Sequence, residues 1–360
     1  MSILPDAETF RRLADGSLRG VGPTVLRGGL AAIAAPYATA VAARNLLYDL
    51  RLLPSWAADL PVVSVGNLTL GGTGKTPLVA WVARHFARQG LKPAVVSRGY
   101  AASRSGISDE AAELAIVLPG VPHVADRNRA AAARRAEELG ADVVILDDGF
   151  QHRRLRRNLD IVAVDATDPF GCDRIFPRGF LREPLTALRR ADAVILSRAD
   201  RVDSDCRAAI HSSVMRSRRG RPLAAWLETT HAPTAVRGAD GSVAPLESLA
   251  GRSVAAFCGI GNPEAFRHTL AGIGADVVGF RSFADHHHYS AEDLDSLTAW
   301  GAATRAERLV TTLKDLVRIE RTELGELPLS ALEITLEPLA DPAGLLALLA
   351  AAIRPGGRPA

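Results

Sequence analysis

The sequence predicts an α/β protein: a doubly wound, mostly parallel sheet with a second, smaller α/β domain. Three observations carry that expectation. From residue 60 onward, short apolar runs alternate with helix-like stretches such as Leu78–Arg88 and Arg127–Leu139. The runs are apolar at nearly every residue rather than at every second one, which marks strands covered on both faces. One of them, Val62–Val65, leads directly into a glycine-rich turn and then a helix-like stretch, VVSVGNLTLGGTGKTPL at 62–78.

Bulk properties narrow the field. A chain of 360 residues has room for two domains, each with its own core. A net charge of +3 gives no reason to expect nucleic acid, and no aromatic residues interleave with basic runs. Cys172, Cys206 and Cys258 are odd in number and widely spaced. That suits a reducing compartment and argues against a disulfide framework or a cysteine zinc site.

Taken in order, residues 1–59 form an N-terminal segment whose notable part is GGLAAIAAPYATAVAA, sixteen residues without charge between Arg27 and Arg44. It is short against the roughly 20 apolar residues that a bilayer span needs. Ala38-Thr39-Ala40 has the small residues of a signal-peptidase site. Cleavage there would send the glycine-rich turn to a compartment without ATP, so that reading is set aside. A buried helix and a helix lying in a membrane interface both remain. Arg44, Tyr48, Arg51 and Trp56 just beyond it are the cationic and aromatic anchors of an interfacial segment.

Residues 60–228 read as a nucleotide-binding domain. In the turn, Gly71, Gly72 and Gly74 free the backbone, and Thr69, Thr73, Lys75 and Thr76 complete the loop. Backbone N–H groups and a helix N-terminus would cradle a polyphosphate, with Lys75 on the β/γ oxygens and Thr76 on magnesium. Thr69 stands where the strict pattern has glycine. Pro77 suits the first helical turn, where its missing N–H costs nothing. Of 43 basic residues only Lys75, Lys92 and Lys314 are lysine. A compact ammonium among phosphates is a reason to keep Lys75, since a planar guanidinium replaces it poorly.

The run VVILDDGFQH at 143–152 ends a strand in Asp147-Asp148, where enzymes with such loops keep the carboxylate that orients magnesium. Gln151 and His152 follow toward the same place. After the strand ending at Ser97, Arg98 and then Asp109 and Glu110 form a loop suited to steering a substrate and supplying a base. Arg178 and Arg182, in FPRGFLREP at 176–184, suit an anionic substrate.

Residues 229–252 read as a linker or small hairpin, and 253–360 as the smaller α/β domain, with strands near Val254–Phe257, Asp276–Phe280 and Leu309–Thr311. It carries FADHHHY at 283–289. One histidine acting in catalysis, a metal site and a plain solvated loop are all open for that run. Thr311-Thr312-Leu313-Lys314-Asp315 offers Lys314 as a clamp on phosphate.

In combination, GNLTLGGTGKTP, SRGY, SDE, LDDGFQH, LREP, GNPEAF, FADHHHY and TTLKD resemble the tetraacyldisaccharide 4'-kinase (lipid A 4'-kinase) family over about residues 20–320. That resemblance implies a fold of P-loop NTPase type with an N-terminal membrane-interfacial helix. It implies ATP and Mg2+ as cofactors and an acylated glucosamine disaccharide 1-phosphate as acceptor, phosphorylated at its 4'-hydroxyl at the cytoplasmic face of the inner membrane. Carried over, Lys75 and Thr76 would hold phosphates and magnesium beside Asp147 and Asp148. Asp109 would be the catalytic base, paired with His286, and Glu110 joins the candidate magnesium ligands. Arg98, Gln151, His152 and Arg182 are the candidate substrate contacts. The chain departs from the family's usual motifs at Ala101, Ser108, Phe180 and Leu313. Two other functions fit the loop: a nucleotide switch such as a metal chaperone, and a kinase of a non-lipid small molecule.

Overall fold

The computed structural model describes residues 7–99, 109–285, 287–319 and 321–354. The chain forms two compact units. The first comprises 1–99, 120–231 and 336–360, and the second 100–119 and 232–335.

The first unit contains β1 (Val62–Asn67), β2 (Pro93–Ser97), β3 (His123–Ala125), β4 (Val143–Asp147), β5 (Leu159–Asp165), β6 (Ala193–Ser197) and the first half of β7 (Ala225–Gly238). They lie in the order β7-β6-β5-β1-β4-β2-β3, and every pairing from β6–β7 to β2–β3 is parallel. β1, β2, β4 and β6 are buried at every residue, as their unbroken apolar runs require. Its helices are α1 (Ala7–Asp15), α2 (Val21–Asp49), α3 (Lys75–Arg88), α5 (Arg129–Glu138), α6 (Ser204–Ser217) and α10 (Ala343–Ala352); α4 (Asp109–Val117) belongs to the second unit. One core cluster packs Phe150, Val162, Leu188, Val194 and Leu196, and another Ala94, Ala133, Val144 and Leu155.

The second unit carries β8 (Val243–Ala244), β9 (Ser253–Cys258), β10 (Asp276–Ser282), β11 (Arg308–Thr312), β12 (Glu323–Leu324) and all but the last three residues of β13 (Leu327–Pro338), with α7 (Pro263–Gly272), α8 (Ala291–Ala303) and α9 (Leu313–Leu316). Its order is β10-β9-β11-β13-β7, and its core packs Val236, Val254, Phe266, Leu270, Val310 and Leu332.

Three differences from the sequence reading have physical causes. Residues 229–238, expected in the linker or small hairpin, continue the strand β7, and β8 returns on its end as a short antiparallel hairpin. Its β-branched residues outweigh Pro233, the breaker that suggested irregular chain. α10 joins the first unit, where it packs on β1 and β5, although it follows the second in sequence. α4 packs on α9 and therefore belongs with the second unit.

α2 is 29 residues long, well beyond the sixteen uncharged ones, because Pro36 and its two paired glycines do not break it. Of its residues only Ala34 is buried. Val21 is 82% exposed, and Val25, Leu26, Ile33, Leu46 and Leu47 are exposed as well. By length and composition α2 is able to cross a membrane, and it is compatible with peripheral membrane association.

Candidate active site

The loop after β1 starts from Asn67 and ends at Lys75, the first residue of α3. Gly71 and Gly74 adopt left-handed φ values of 106° and 76°. Gly74 is the N-cap, so the free N–H groups of the first turn and the positive helix end belong to the loop. A side chain at Gly74 is excluded twice, by its φ and by the His231 imidazole packed where a Cβ would stand.

Neighbouring strand ends hold the loop in place. Ser197 Oγ, at the end of β6, donates to the Thr73 carbonyl at 3.0 Å. Arg198 Nη1 donates to the Gly72 carbonyl at 3.2 Å and is ion-paired with Asp165 at the end of β5. Thr69 is buried and bridged to Leu181, while Asn67 Nδ2 donates to its carbonyl at 2.8 Å. The entry to the loop is thus a piece of extended, paired chain, and a threonine fits where other loops of this kind turn on glycine.

Lys75 Nζ donates to Asn67 Oδ1 at 3.2 Å and stands 3.5 Å from Asp148 Oδ1. Asp148 follows the last residue of β4 and takes a φ of 51°, a conformation aspartate tolerates better than most residues. Arg182 Nη1 donates to both of its carboxylate oxygens, at 2.9 and 2.8 Å. Burial by itself would raise the Asp148 carboxyl. Lys75 and Arg182 outweigh it and hold the carboxyl below the usual range. Asp147, the end of β4, is buried beside it. Thr73 Oγ1 is buried without a hydrogen-bond partner among the described residues.

Gln151 Nε2 donates to the Asn67 carbonyl at 2.8 Å, and the Gln151 carbonyl accepts from Arg44 Nη2 of α2 at 3.2 Å. Burial, with Arg129 and Arg157 adding to it, pushes His152 down to about 4, so its ring is neutral. α2 reaches the same place twice more. Tyr37 donates its hydroxyl to the Arg182 carbonyl at 3.2 Å, and Asn45 Nδ2 donates to Glu183 Oε2 at 2.8 Å. Phe180, one of the departures from the family's motifs, is met edge-on by Phe10 and covered by Arg11.

The structure therefore brings together Thr69, Gly71, Gly72, Thr73, Gly74, Lys75, Thr76, Asp148, Gln151 and Arg182 around one helix start. Arg182, expected on the substrate, is occupied with Asp148. Arg98 is exposed at the end of β2.

In the second unit, Asp109 opens α4 and its Oδ2 accepts from Arg318 Nε at 2.7 Å. Arg318 reaches Asp315 through Nη1 at 3.4 Å. Asp315 is fully buried and accepts from the Gly259 N–H at 3.0 Å and from Thr312 Oγ1 at 2.6 Å. Glu110 is exposed in the same turn of α4. Lys314, expected as a phosphate clamp, donates to Asp285 Oδ1 at 3.1 Å. Leu313, where the family's motif has glutamate, is buried. His286 lies outside the described residues. His287 stacks on Phe283 and pairs with Asp293 at 3.1 Å, and among the described residues no group of three or more His, Cys, Asp or Glu is placed to hold a metal.

Sequence reasoning missed Asn67, Glu183 and Asp315, although each lies inside a motif it had quoted. Arg318, one helical turn beyond Lys314, and His231 carried no signal at all.

The family model described as "Tetraacyldisaccharide-1-P 4'-kinase" matches residues 26–354. The tetraacyldisaccharide 4'-kinase of Anaeromyxobacter dehalogenans (strain 2CP-C) is 45% identical over 304 residues, 79% of either chain. That of Geobacter sulfurreducens is 39% identical and covers 94% of this chain and 97% of its own. A crystal structure of "apo" form LpxK from Aquifex aeolicus in complex with ATP matches with a TM-score of 0.73 at 30% identity, over 91% of this chain and 100% of that one. This chain belongs to the tetraacyldisaccharide-1-phosphate 4'-kinase family.

Proposed function

We propose that the protein transfers the γ-phosphoryl group of ATP to the 4'-hydroxyl of a tetraacylated glucosamine disaccharide 1-phosphate, giving lipid IVA in lipid A synthesis. The observation that carries this reading is the Lys75 ammonium, held between Asn67 Oδ1 at 3.2 Å and Asp148 Oδ1 at 3.5 Å at the start of α3. The names of the relatives and the ATP complex of the Aquifex protein support it.

Loop N–H groups and the helix N-terminus bind the polyphosphate, and Lys75 neutralises the charge that spreads over the transferring group. Arg182 keeps Asp148 ionised and in place. Thr76, Asp147 and Asp148 are hard oxygen donors of the kind Mg2+ takes. When bound, the ion would share the phosphate charge.

A sugar hydroxyl is a weak nucleophile, but a loose transition state chiefly requires alignment, with the proton leaving late. Asp109 accepts that proton, oriented by Arg318 and by His286. Asp109 belongs to the second unit and the phosphate loop to the first. The exposed apolar residues of α2 support a seat in the interface of the cytoplasmic leaflet, with its polar residues Tyr37, Arg44 and Asn45 tied to the acceptor side.

The test is transfer of labelled γ-phosphate from ATP to tetraacyldisaccharide 1-phosphate in detergent. Phosphorylation at the 4' position is the expected result. Turnover of ATP with a soluble acceptor and none with the acylated disaccharide would overturn the reading.

A further inference from the structure

A second cationic cavity of about 500 Å³ opens in the first unit, at the end of α2. Its volume is in the range of ligand sites. Arg51, Arg153, Arg156, Arg157, Arg190 and Arg221 line it, against three aspartates. The aspartates are already committed. Asp49 pairs with Arg153 at 2.7 Å, Asp160 with Arg157 at 3.1 Å, and Asp192 accepts the Asp160 N–H at 2.8 Å. The other arginines carry the excess charge. Arg190 pairs with Glu183. Among the described residues Arg156 makes one side-chain hydrogen bond, Nε to Ser55 Oγ at 3.0 Å, and both its Nη groups are left over. Among the described residues the Arg221 side chain has one long hydrogen bond, 3.5 Å to the Arg189 carbonyl, and the Arg51 guanidinium has no hydrogen bond or ion pair. Arg51 also holds a left-handed φ of 59° directly after the C-cap of α2, a position where glycine is the usual residue.

The cavity is separate from the phosphate loop. Asp192 stands at the entry of β6 and Ser197 at its exit, beside Gly74. The strand between them spans on the order of 15 Å. Guanidinium groups favour phosphate, whose oxygens match their planar fork. The surroundings say where that phosphate comes from. Leu46, Leu47, Leu50 and Leu52, interleaved in sequence with the cavity residues Tyr48, Asp49 and Arg51, are 39–66% exposed. An anion bound here would sit beside bare apolar surface, the arrangement an amphiphile with a phosphate head requires.

We propose that this arginine cavity is a binding site for the phosphate headgroup of an anionic glycerophospholipid, distinct from the kinase centre. It fixes the end of α2 to the bilayer surface whatever the acceptor of the kinase is.

The experiment is flotation of the full chain with phosphatidylcholine vesicles, alone or made equally anionic with phosphatidylglycerol or with oleic acid. Wild type should bind the phosphatidylglycerol vesicles more tightly than the oleate ones. Replacing Arg51, Arg156 and Arg221 together by Gln should lower that affinity by roughly tenfold to a hundredfold. Replacement by Lys, which keeps charge and loses the fork, should abolish the preference over oleate, with the KM for ATP unchanged in both variants. Equal binding to both anionic vesicles, or full retention by the Lys variant, would reduce the cavity to general surface charge and overturn the proposal. So would a rise in acceptor KM with vesicle binding intact, which would make the cavity part of the acceptor site. In a separate arm, inorganic phosphate that stabilises the protein thermally through these arginines, without any phosphatidylglycerol preference, would assign the site to a soluble anion.

Discussion

A single nitrogen of Arg182 bonds both carboxylate oxygens of Asp148, at 2.9 and 2.8 Å, while Lys75 approaches the same carboxylate at only 3.5 Å. The arginine thus holds the carboxylate by two hydrogen bonds and shares its charge with Lys75. Removing it in Arg182→Gln should draw Lys75 onto Asp148 and lower kcat by about 10- to 100-fold. Arg182→Lys should restore kcat in part, since one ammonium can also donate to both oxygens but has a shorter reach than the guanidinium. If instead the KM for the acceptor rises and kcat is unchanged, Arg182 contacts the substrate and its bond to Asp148 is incidental.

Lys75→Ala should cost on the order of 10²–10³ in kcat, the size of effect seen when a positioned charge donor is lost. Lys75→Arg should be nearly as poor, because a planar guanidinium replaces poorly a compact ammonium held by one oxygen each of Asn67 and Asp148. Single-turnover measurements with saturating ATP check both.

Asp109 and Arg318 differ in what they should lose. Asp109→Asn removes the proposed proton acceptor and should depress kcat with ATP affinity nearly intact. Arg318→Gln keeps the acceptor and frees its orientation, and takes one charged donor from the buried Asp315. It should therefore lower both kcat and the melting temperature, and the melting temperature by more than Asp109→Asn does, since that variant leaves Arg318 its pair with Asp315. Loss of ATP binding in Asp109→Asn, with turnover per bound complex preserved, would show that the base is misassigned.

His231 packs against Gly74 and its Nε2 is buried with no hydrogen-bond partner among the described residues. Burial, with Arg198 and Arg201 adding to it, pushes it down to about 3, so it is a neutral wedge through the physiological range. Gly74→Ala should weaken ATP binding at least tenfold, from collision and from strain at a φ of 76°. In the double variant with His231→Ala the collision is relieved and the strain remains. ATP affinity should then recover in part, a coupling that a double-mutant cycle measures directly.

Much of the first unit was legible because its strands are apolar at every residue and its loop is glycine-rich, signals that local sequence carries by itself. The part of β7 from Thr229 on was not, since Pro233 and the polar residues around it read as irregular chain, and its pairing with β13 is made by residues about a hundred positions away, Thr234 Oγ1 to the Glu333 carbonyl among them. The same limit applies at the site. Lys75, Asp148 and Gln151 stood in motifs whose chemistry names them. That Arg182 would be spent on Asp148, and that His231 would fill the space glycine leaves, depends on tertiary neighbours that no spacing encodes.

Glu113 gives the fold a pH dependence of its own. It lies one turn after Asp109 on α4, half-buried, and burial pushes its carboxyl from 4.5 up to about 7; Glu110 and Asp315 add to the rise, while Lys314 and Arg318 oppose it. A carboxyl raised on folding stays protonated in the native state at pH values where the unfolded chain has already ionised. The native state then binds more protons, so stability falls as pH rises from about 4.5 to about 7 and levels off above. The gap corresponds to at most roughly 3 kcal/mol. Glu113→Gln keeps the neutral shape and removes the titration. It should leave stability near pH 4.5 unchanged and raise it at pH 8, by up to that amount in denaturant melts. Equal stabilisation at both pH values would mean that the gain comes from packing and not from the proton. A loss at pH 8 would mean that the ionised carboxylate is held there by Lys314 and Arg318 after all.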